Sequence, residues 1–519
     1  MSIQIKRALC CGVILLGISL SGVVLWALGL WENQAGLRWP VQGNKIGQAS
    51  IWGDYPGGHF GAGLAVGDVN GDGADDLVAG APYVSQITQA GGEAYVIPGP
   101  LTFGTSYTMP QRAALVFQGA SGHQPQIGRY LDSGDVNGDG FDDIVLGSWS
   151  SGMAYLYLGS PAIQANSPMT VAVIPDNMAM AVDRAPLGVA LCDLNADGYQ
   201  DLFVEHMSRE YGARMWGILG SSTLTMAHPI TLHMPLDADI TIIADLPTLV
   251  GVPSSRHVAC GDIDGDGYPD LAFGMPGASP KYRHVAGIVY VVRGDPTIAR
   301  GTPVTITLPD QAGAIIEGTD GRISTSGDVL GTTLAIADVN EDGRADLILG
   351  APGASGPDNL LQRAGEVYLW LGRALEGQRF TISTQASWAV YGKEEGDGLG
   401  RAIAAADFDG DKQPEILLGC PGCVQETEPL WIAGGGYVLE PLEISGLVTV
   451  TAVSRLDAVP YRDAIGLGEV VSAVDLDDDG ASDLVLAAPS DGPEDSLPGT
   501  VYVISYPFCS QLYLPFIRR

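Results

Sequence analysis

A nine-residue acidic loop recurs seven times along this chain and limits what the chain can fold into. It opens at Asp68, Asp135, Asp193, Asp262, Asp338, Asp407 and Asp475, at intervals of 58 to 76 residues. Such self-similarity marks a protein assembled from one structural unit. Three further marks keep register with the loop. An apolar residue and Gly sit seven residues upstream in five copies, at Gly61, Gly128, Gly331, Gly400 and Gly468. Gly188 and Ser255 stand near that place in the other two. A Pro follows fourteen residues downstream in five copies, at Pro82, Pro276, Pro352, Pro421 and Pro489. An aromatic opens a short apolar run in all seven: Tyr95, Tyr155, Trp216, Tyr290, Tyr368, Tyr437 and Tyr502. Four residues after it, five copies carry Gly99, Gly159, Gly220, Gly294 and Gly372.

Each unit reads as strands. Apolar runs such as Leu77-Val-Ala, Ile144-Val-Leu and Leu347-Ile-Leu follow the loop directly, bounded by Gly and Pro, which selects strand over helix. Tyr290-Val-Val and Ala114-Leu-Val-Phe represent two further runs per unit. Four-stranded units repeated four to eight times close into a propeller. The expected fold is all-β: a seven-bladed β-propeller of four-stranded blades over residues 46–506. Gln48-Ala-Ser-Ile-Trp52 has the pattern of an outer strand with no preceding blade, and the seventh unit lacks one. The ring is therefore expected to close by pairing the two.

The loop carries oxygen ligands at regular positions. Position 1 is the opening Asp. Position 3 is Asn70, Asn137, Asn195, Asp264, Asn340, Asp409 or Asp477, and position 5 is Asp72, Asp139, Asp197, Asp266, Asp342, Asp411 or Asp479. Position 7 offers a backbone carbonyl, from Ala74, Phe141, Tyr199, Tyr268, Arg344, Gln413 or Ala481. Position 9 is Asp76, Asp143, Asp201, Asp270, Asp346, Glu415 or Asp483. Hard oxygen donors at this spacing suit Ca²⁺, with up to seven ions. A solvated acidic turn is the plain alternative, since Asp, Asn and Gly favour turns; an acid at position 9 in every copy speaks against it. An EF-hand needs Glu at position 12, where this chain has only apolar residues. The sixth loop is expected to be the weakest site, because Lys412 replaces Gly at position 6 and Glu415 replaces Asp at position 9.

Phe60-Gly61, Gly80-Ala81-Pro82 and the Asp68 loop between them resemble the FG-GAP repeat, known from the N-terminal propeller of integrin α subunits and from bacterial surface proteins. The resemblance implies seven blades and Ca²⁺ at positions 1, 3, 5, 7 and 9 of each loop. The short spacing between the second and third loops leaves no room for an inserted ligand-binding domain. The expectation is an isolated integrin-like propeller, with residues 507–519 as a tail.

The formal charge is −34, which argues against binding nucleic acid or anionic lipid directly. The loops hold 24 of the 60 acids, and seven Ca²⁺ would bring the charge to −20. Lys6 and Arg7 precede 24 uncharged residues, Ala8 to Trp31. Residues 1–31 are read as an uncleaved signal-anchor or a cleaved signal peptide and 32–45 as a linker. Either reading exports the body, which is placed at the extracellular face, anchored by that helix or secreted. Arg293-Gly294-Asp295 spells an integrin-recognition tripeptide, but Gly294 belongs to the repeat register. Cys420-Pro-Gly-Cys423 is read as a small structural disulfide or a reduced pair, and Trp149 as either an exposed stacking platform or core. Neither His-Glu-x-x-His nor Gly-x-Ser-x-Gly occurs. The expected function is a non-enzymatic, monomeric binding or adhesion platform for a protein or glycan. The alternative is a carbohydrate-active lyase or hydrolase.

Overall fold

The computed structural model describes residues 48–505 apart from 85–90, 120–125, 149–150, 165–168, 185–187, 209–211, 245–257, 282, 321–326, 357–358, 424–433, 440–445, 450–453, 458–465 and 490–497. The expected N-terminal helix, the linker, Trp149 and the C-terminal tail lie outside the described residues. No described helix is long and apolar enough to cross a membrane.

Seven sheets, each built on four antiparallel strands, form a seven-bladed β-propeller. In the first blade the inner strand is Leu64–Gly67, followed outward by Asp76–Ala81, Glu93–Ile97 and Leu115–Gly119. The acidic loop joins the inner strand to the second. The second strand, DLVAGA here, is buried throughout because neighbouring blades cover both its faces. This explains its continuous apolar run. Inner strands of adjoining blades touch around the whole ring, the seventh against the first included.

Closure follows the expected strand exchange. Gln48–Trp52 is the outer strand of the seventh blade and pairs antiparallel with Thr500–Ile504, Gln48 opposite Ile504 and Trp52 opposite Thr500. One feature departs from the four-stranded expectation. In six sheets a fifth strand, supplied by the connection between the third and outer strands of the following blade, runs parallel to the outer strand. Met169–Val173 of the second blade, for example, lies beside Leu115–Gly119 of the first.

The glycine upstream of the loop proves to be half of a close contact between blades. A Cβ on Gly80 would stand 1.7 Å from the Gly128 carbonyl oxygen, so the two glycines set the approach of the second blade to the first. Gly274 with Gly331, and Gly419 with Gly468, repeat that contact around the ring.

Candidate metal centres

Backbone hydrogen bonds shape the loops. In all seven, the position 6 N–H donates to one oxygen of the position 1 carboxylate, at 2.8–2.9 Å. The position 7 N–H donates to the position 5 carboxylate in all seven, at 2.9–3.1 Å. Position 6 has positive φ throughout, as at Gly73 (89°) and Lys412 (77°). So has position 4, where Ala196, Glu341 and Asp478 stand among glycines. Sequence reading missed that second left-handed residue, since only four copies mark it with Gly.

Position 9 has a role that the sequence reading did not assign. Its carboxylate accepts the position 2 N–H in every copy, at 2.8–3.2 Å. In five copies it also accepts the N–H of the Gly that ends the third strand, at 2.7–3.0 Å. That Gly has no room for a side chain: a Cβ on Gly99 would lie 2.3 Å from the Asp75 carbonyl oxygen. The acid at position 9 thus holds the loop's own backbone in every copy and ties it to the end of the third strand in five. It does not by itself speak for calcium, as the sequence argument had it.

Burial pushes the position 9 carboxyls up, against the pull of these backbone hydrogen bonds. Asp76, Asp143, Asp201 and Asp270 rise to about 7, Asp346 to about 6 and Asp483 to about 8, with nearby loop carboxylates adding to the rise. A cation is the group that relieves such crowding.

The residues fit one. All candidate donors are hard oxygens, as Ca²⁺ requires. In the fourth and seventh loops the position 3 oxygens Asp264 Oδ1 and Asp477 Oδ1 are buried with no hydrogen-bond partner. Asp262, Asp264 and Asp270 each bring an oxygen within 4.8 Å of the others, and so do Asp475, Asp477 and Asp483. The sixth loop gathers four carboxylates in this way, Asp407, Asp409, Asp411 and Glu415. Its two departures are absorbed locally. The Lys412 N–H still reaches Asp407 at 2.8 Å, and the longer Glu415 still accepts the Phe408 N–H at 2.8 Å.

Adjacent loops are linked. The position 8 N–H of Asp142, Gln200, Ala345 and Ser482 donates to the position 1 carbonyl of the preceding loop. Pro269, at position 8 of the fourth loop, has no N–H to give. At that seam a disulfide, Cys192–Cys260, joins the inner strands of the third and fourth blades. Sequence reading missed it, although the separation of 68 residues is one repeat period.

The remaining motifs are structural. The Arg293 guanidinium lies 3.7 Å from Asp264, the Gly294 N–H donates to Asp270, and Asp295 accepts from Thr297. The tripeptide is therefore part of the blade. Cys420 and Cys423 form a buried disulfide, the first of the two expected states. At the rim opposite the loops, His59 packs on Tyr83 with ring centroids 4.7 Å apart, and Arg129 donates to the Tyr83 hydroxyl at 3.3 Å while lying over Tyr130. On that rim in the fifth blade, Asp328 accepts the Asp320 N–H and Glu366 accepts the Tyr368 hydroxyl.

Comparison with known proteins agrees with this architecture. Residues 60–97, 256–292 and 330–370 match the FG-GAP repeat, and residues 135–204 match an FG-GAP-like repeat. The chain is 35% identical to integrin alpha-3 of Mus musculus over 253 residues, 47% of this chain and 21% of that protein. It is 32% identical to phosphatidylinositol-glycan-specific phospholipase D of Rattus norvegicus over 177 residues, 33% of this chain and 19% of the relative. The slime mould Dictyostelium discoideum has a similar phospholipase D, 29% identical over 229 residues, covering 41% of this chain and 22% of that protein. The match thus spans about a fifth of each of these relatives. With its repeats in register and its ring of seven blades, the chain is an FG-GAP repeat protein folded as an integrin-like propeller.

Proposed function

We propose that this chain is an extracytoplasmic, calcium-stabilised propeller that binds a protein or glycan without catalysing a reaction. The observation that carries the reading is the contrast between rims. One repeats a single oxygen-rich loop seven times; the other repeats its glycine and proline marks but joins second and third strands by connections whose length differs from blade to blade. A repeated rim serves stability, whereas a variable one is where recognition resides on a rigid scaffold. The His59, Tyr83, Arg129 and Tyr130 group is aromatic and cationic in an otherwise acidic protein, a combination suited to a sugar or an acidic side chain. In the loops, Asp and Asn oxygens at positions 1, 3 and 5, the position 7 carbonyl and the position 9 carboxylate would hold Ca²⁺. The ion would supply the positive charge that these crowded acids lack. Residues 8–31 would deliver the propeller to the outer face, anchored or secreted, where calcium is abundant.

A glycan and protein array, probed with the exported domain in calcium and again in chelator, tests the reading. Arg129→Ala should abolish the signal while leaving the melting temperature unchanged. A signal indifferent to Arg129→Ala and Tyr83→Ala would place recognition elsewhere. The second reading is a carbohydrate-active lyase or hydrolase. It rests on the convergence of Asp320, Asp328 and Glu366 away from the calcium loops, with Asp328 pushed up to about 7 by burial. The phospholipase D relatives, enzymes by name, keep an enzyme in view. Turnover of a polysaccharide library that Asp328→Asn removes would favour this second reading.

A further inference from the structure

The fifth strands follow a rule, and among the described residues one blade lacks its partner. Among the described residues, the outer strand of the sixth blade, Ser454–Asp457, has the third strand on one side and no strand on the other. Every other outer strand has a parallel fifth strand there. The sixth blade's fifth strand should come from the connection between the third and outer strands of the seventh. That connection is divided between the two ends of the chain, because the seventh outer strand is Gln48–Trp52.

The rule has a spacing and a register. Fifth strands begin between seven and twelve residues after the third strand of their own blade ends: Gly446 after Leu439, Val304 after Val292. Within each sheet, the residue opposite the third-strand aromatic in turn faces a fixed point of the fifth strand. Tyr155 faces Ala181, which faces Thr231; Trp216 faces Thr241, which faces Thr305. Three residues beyond that point comes an apolar side chain buried between blades: Met109, Val173, Met234, Leu308 and Ile382, none more than 3% exposed. Met109, Met234 and Leu308 are each followed directly by Pro.

We infer that Gln511–Leu514 of the C-terminal tail is the missing fifth strand, added parallel to Ser454–Asp457. Gln511 stands seven residues after Ile504, and Leu514 stands three beyond Gln511 and precedes Pro515. Tyr437 faces Arg455, so the register places Gln511 opposite Arg455, Leu512 opposite Leu456 and Tyr513 opposite Asp457. Leu514 takes the buried place held elsewhere by Met234 or Leu308. The N-terminal run Leu37-Arg38-Trp39-Pro40 fits less well. Pro110, Pro175, Pro235 and Pro309 each lie six residues before the outer-strand residue that faces the aromatic, Val116, Ala181, Thr241 and Ile315. Pro40 lies ten before Ser50. An exposed strand edge also invites pairing with a second chain, and the tail removes that edge.

The test uses the full chain with Cys10, Cys11 and Cys509 replaced by Ser. Mild oxidation of Arg455→Cys with Gln511→Cys should give an intramolecular crosslink, seen as one linked tryptic peptide pair in a monomer. Directly opposed strand residues lie within disulfide range. Leu514→Asp should speed amide exchange at residues 455–457 several-fold and lower the melting temperature by a few degrees, whereas Leu514→Met should do neither. A crosslink from Arg455→Cys to Arg38→Cys instead, or to a second chain, would overturn the assignment. So would no crosslink together with exchange that Leu514→Asp leaves unchanged.

Discussion

The two rims of the propeller use the same side chains in opposite ways. On the loop rim, the half-exposed Asp135 and the exposed Asp139 accept backbone N–H groups of their own turn. On the other rim, Asp328 and Glu366 are buried, and their oxygens take a neighbouring N–H and a tyrosine hydroxyl. Repetition separates them. A carboxylate that recurs in every blade serves the unit; the far-rim pair recurs only in part, Asp397 accepting backbone N–H groups in the sixth blade and Glu93 a tyrosine hydroxyl in the first. Within the loop the distinction sharpens again, because position 9 is buried and bound to two strands whereas position 1 is half-exposed and bound to its own turn.

The largest effect that can break this contrast is removal of calcium. At 100-fold excess over its dissociation constant, each site contributes about 2.7 kcal/mol by mass action. Chelator should therefore lower the melting temperature of the exported domain strongly. An unchanged melting curve would make the loops plain turns. Next comes Asp143→Ala against Asp135→Ala. Hydrogen bonds to a charged group are worth about 1.5–3 kcal/mol each, and Asp143 accepts two in a buried setting. Asp143→Ala should destabilise with or without calcium, Asp135→Ala mainly with it; equal losses in chelator would erase the distinction between positions. A smaller effect is expected in the sixth loop. Lys412→Gly should stabilise by about 1 kcal/mol, the usual cost of a Cβ at positive φ. Asp407→Ala should cost less than Asp68→Ala or Asp338→Ala. Calorimetric calcium titration of the three variants measures this, and a sixth loop filled as tightly as the others would show that four carboxylates outweigh the strained turn.

The smallest effect concerns the opposite rim. Burial, with Glu366 and Asp320 nearby, raises Asp328 to about 7 in the fold, above its unfolded value. Its contribution is then fully present below the unfolded value near 4 and is lost as pH rises through 7. Asp328→Asn should flatten part of the fall in melting temperature over that range, measured in saturating calcium. A pH profile identical to the parent's would show that the group is ionised throughout.

Much of this was legible in the sequence because it repeats. Seven copies of Asp-x-Asn/Asp-x-Asp fixed the number of blades, and the orphan pattern of Gln48–Trp52 revealed the closure. What escaped was whatever repeats weakly or only in three dimensions. The left-handed position 4 is hidden by Ala196, Glu341 and Asp478, which bear side chains in a conformation where Gly is the usual sign. The fifth strands lie in connections of variable length, so their register appears only when outer strands of adjoining blades are laid side by side. The backbone role of position 9 was hidden because a residue held by backbone N–H groups and a metal ligand look alike in sequence. Both need a carboxylate, every time.

Closure by strand exchange also decides how the ring would respond to tension. Gln48 lies opposite Ile504, so the chain enters and leaves this seam at one point. Pulling the two ends apart would load the five residue pairs of this seam one after another, like a zipper, and open the ring at modest force. A pull between the N-terminal end and a ligand on the far rim would instead load the pairs together along the strand, in shear. If the propeller is tethered at its N-terminus, the second direction is the one that a bound partner applies, and in that direction the seam is strongest.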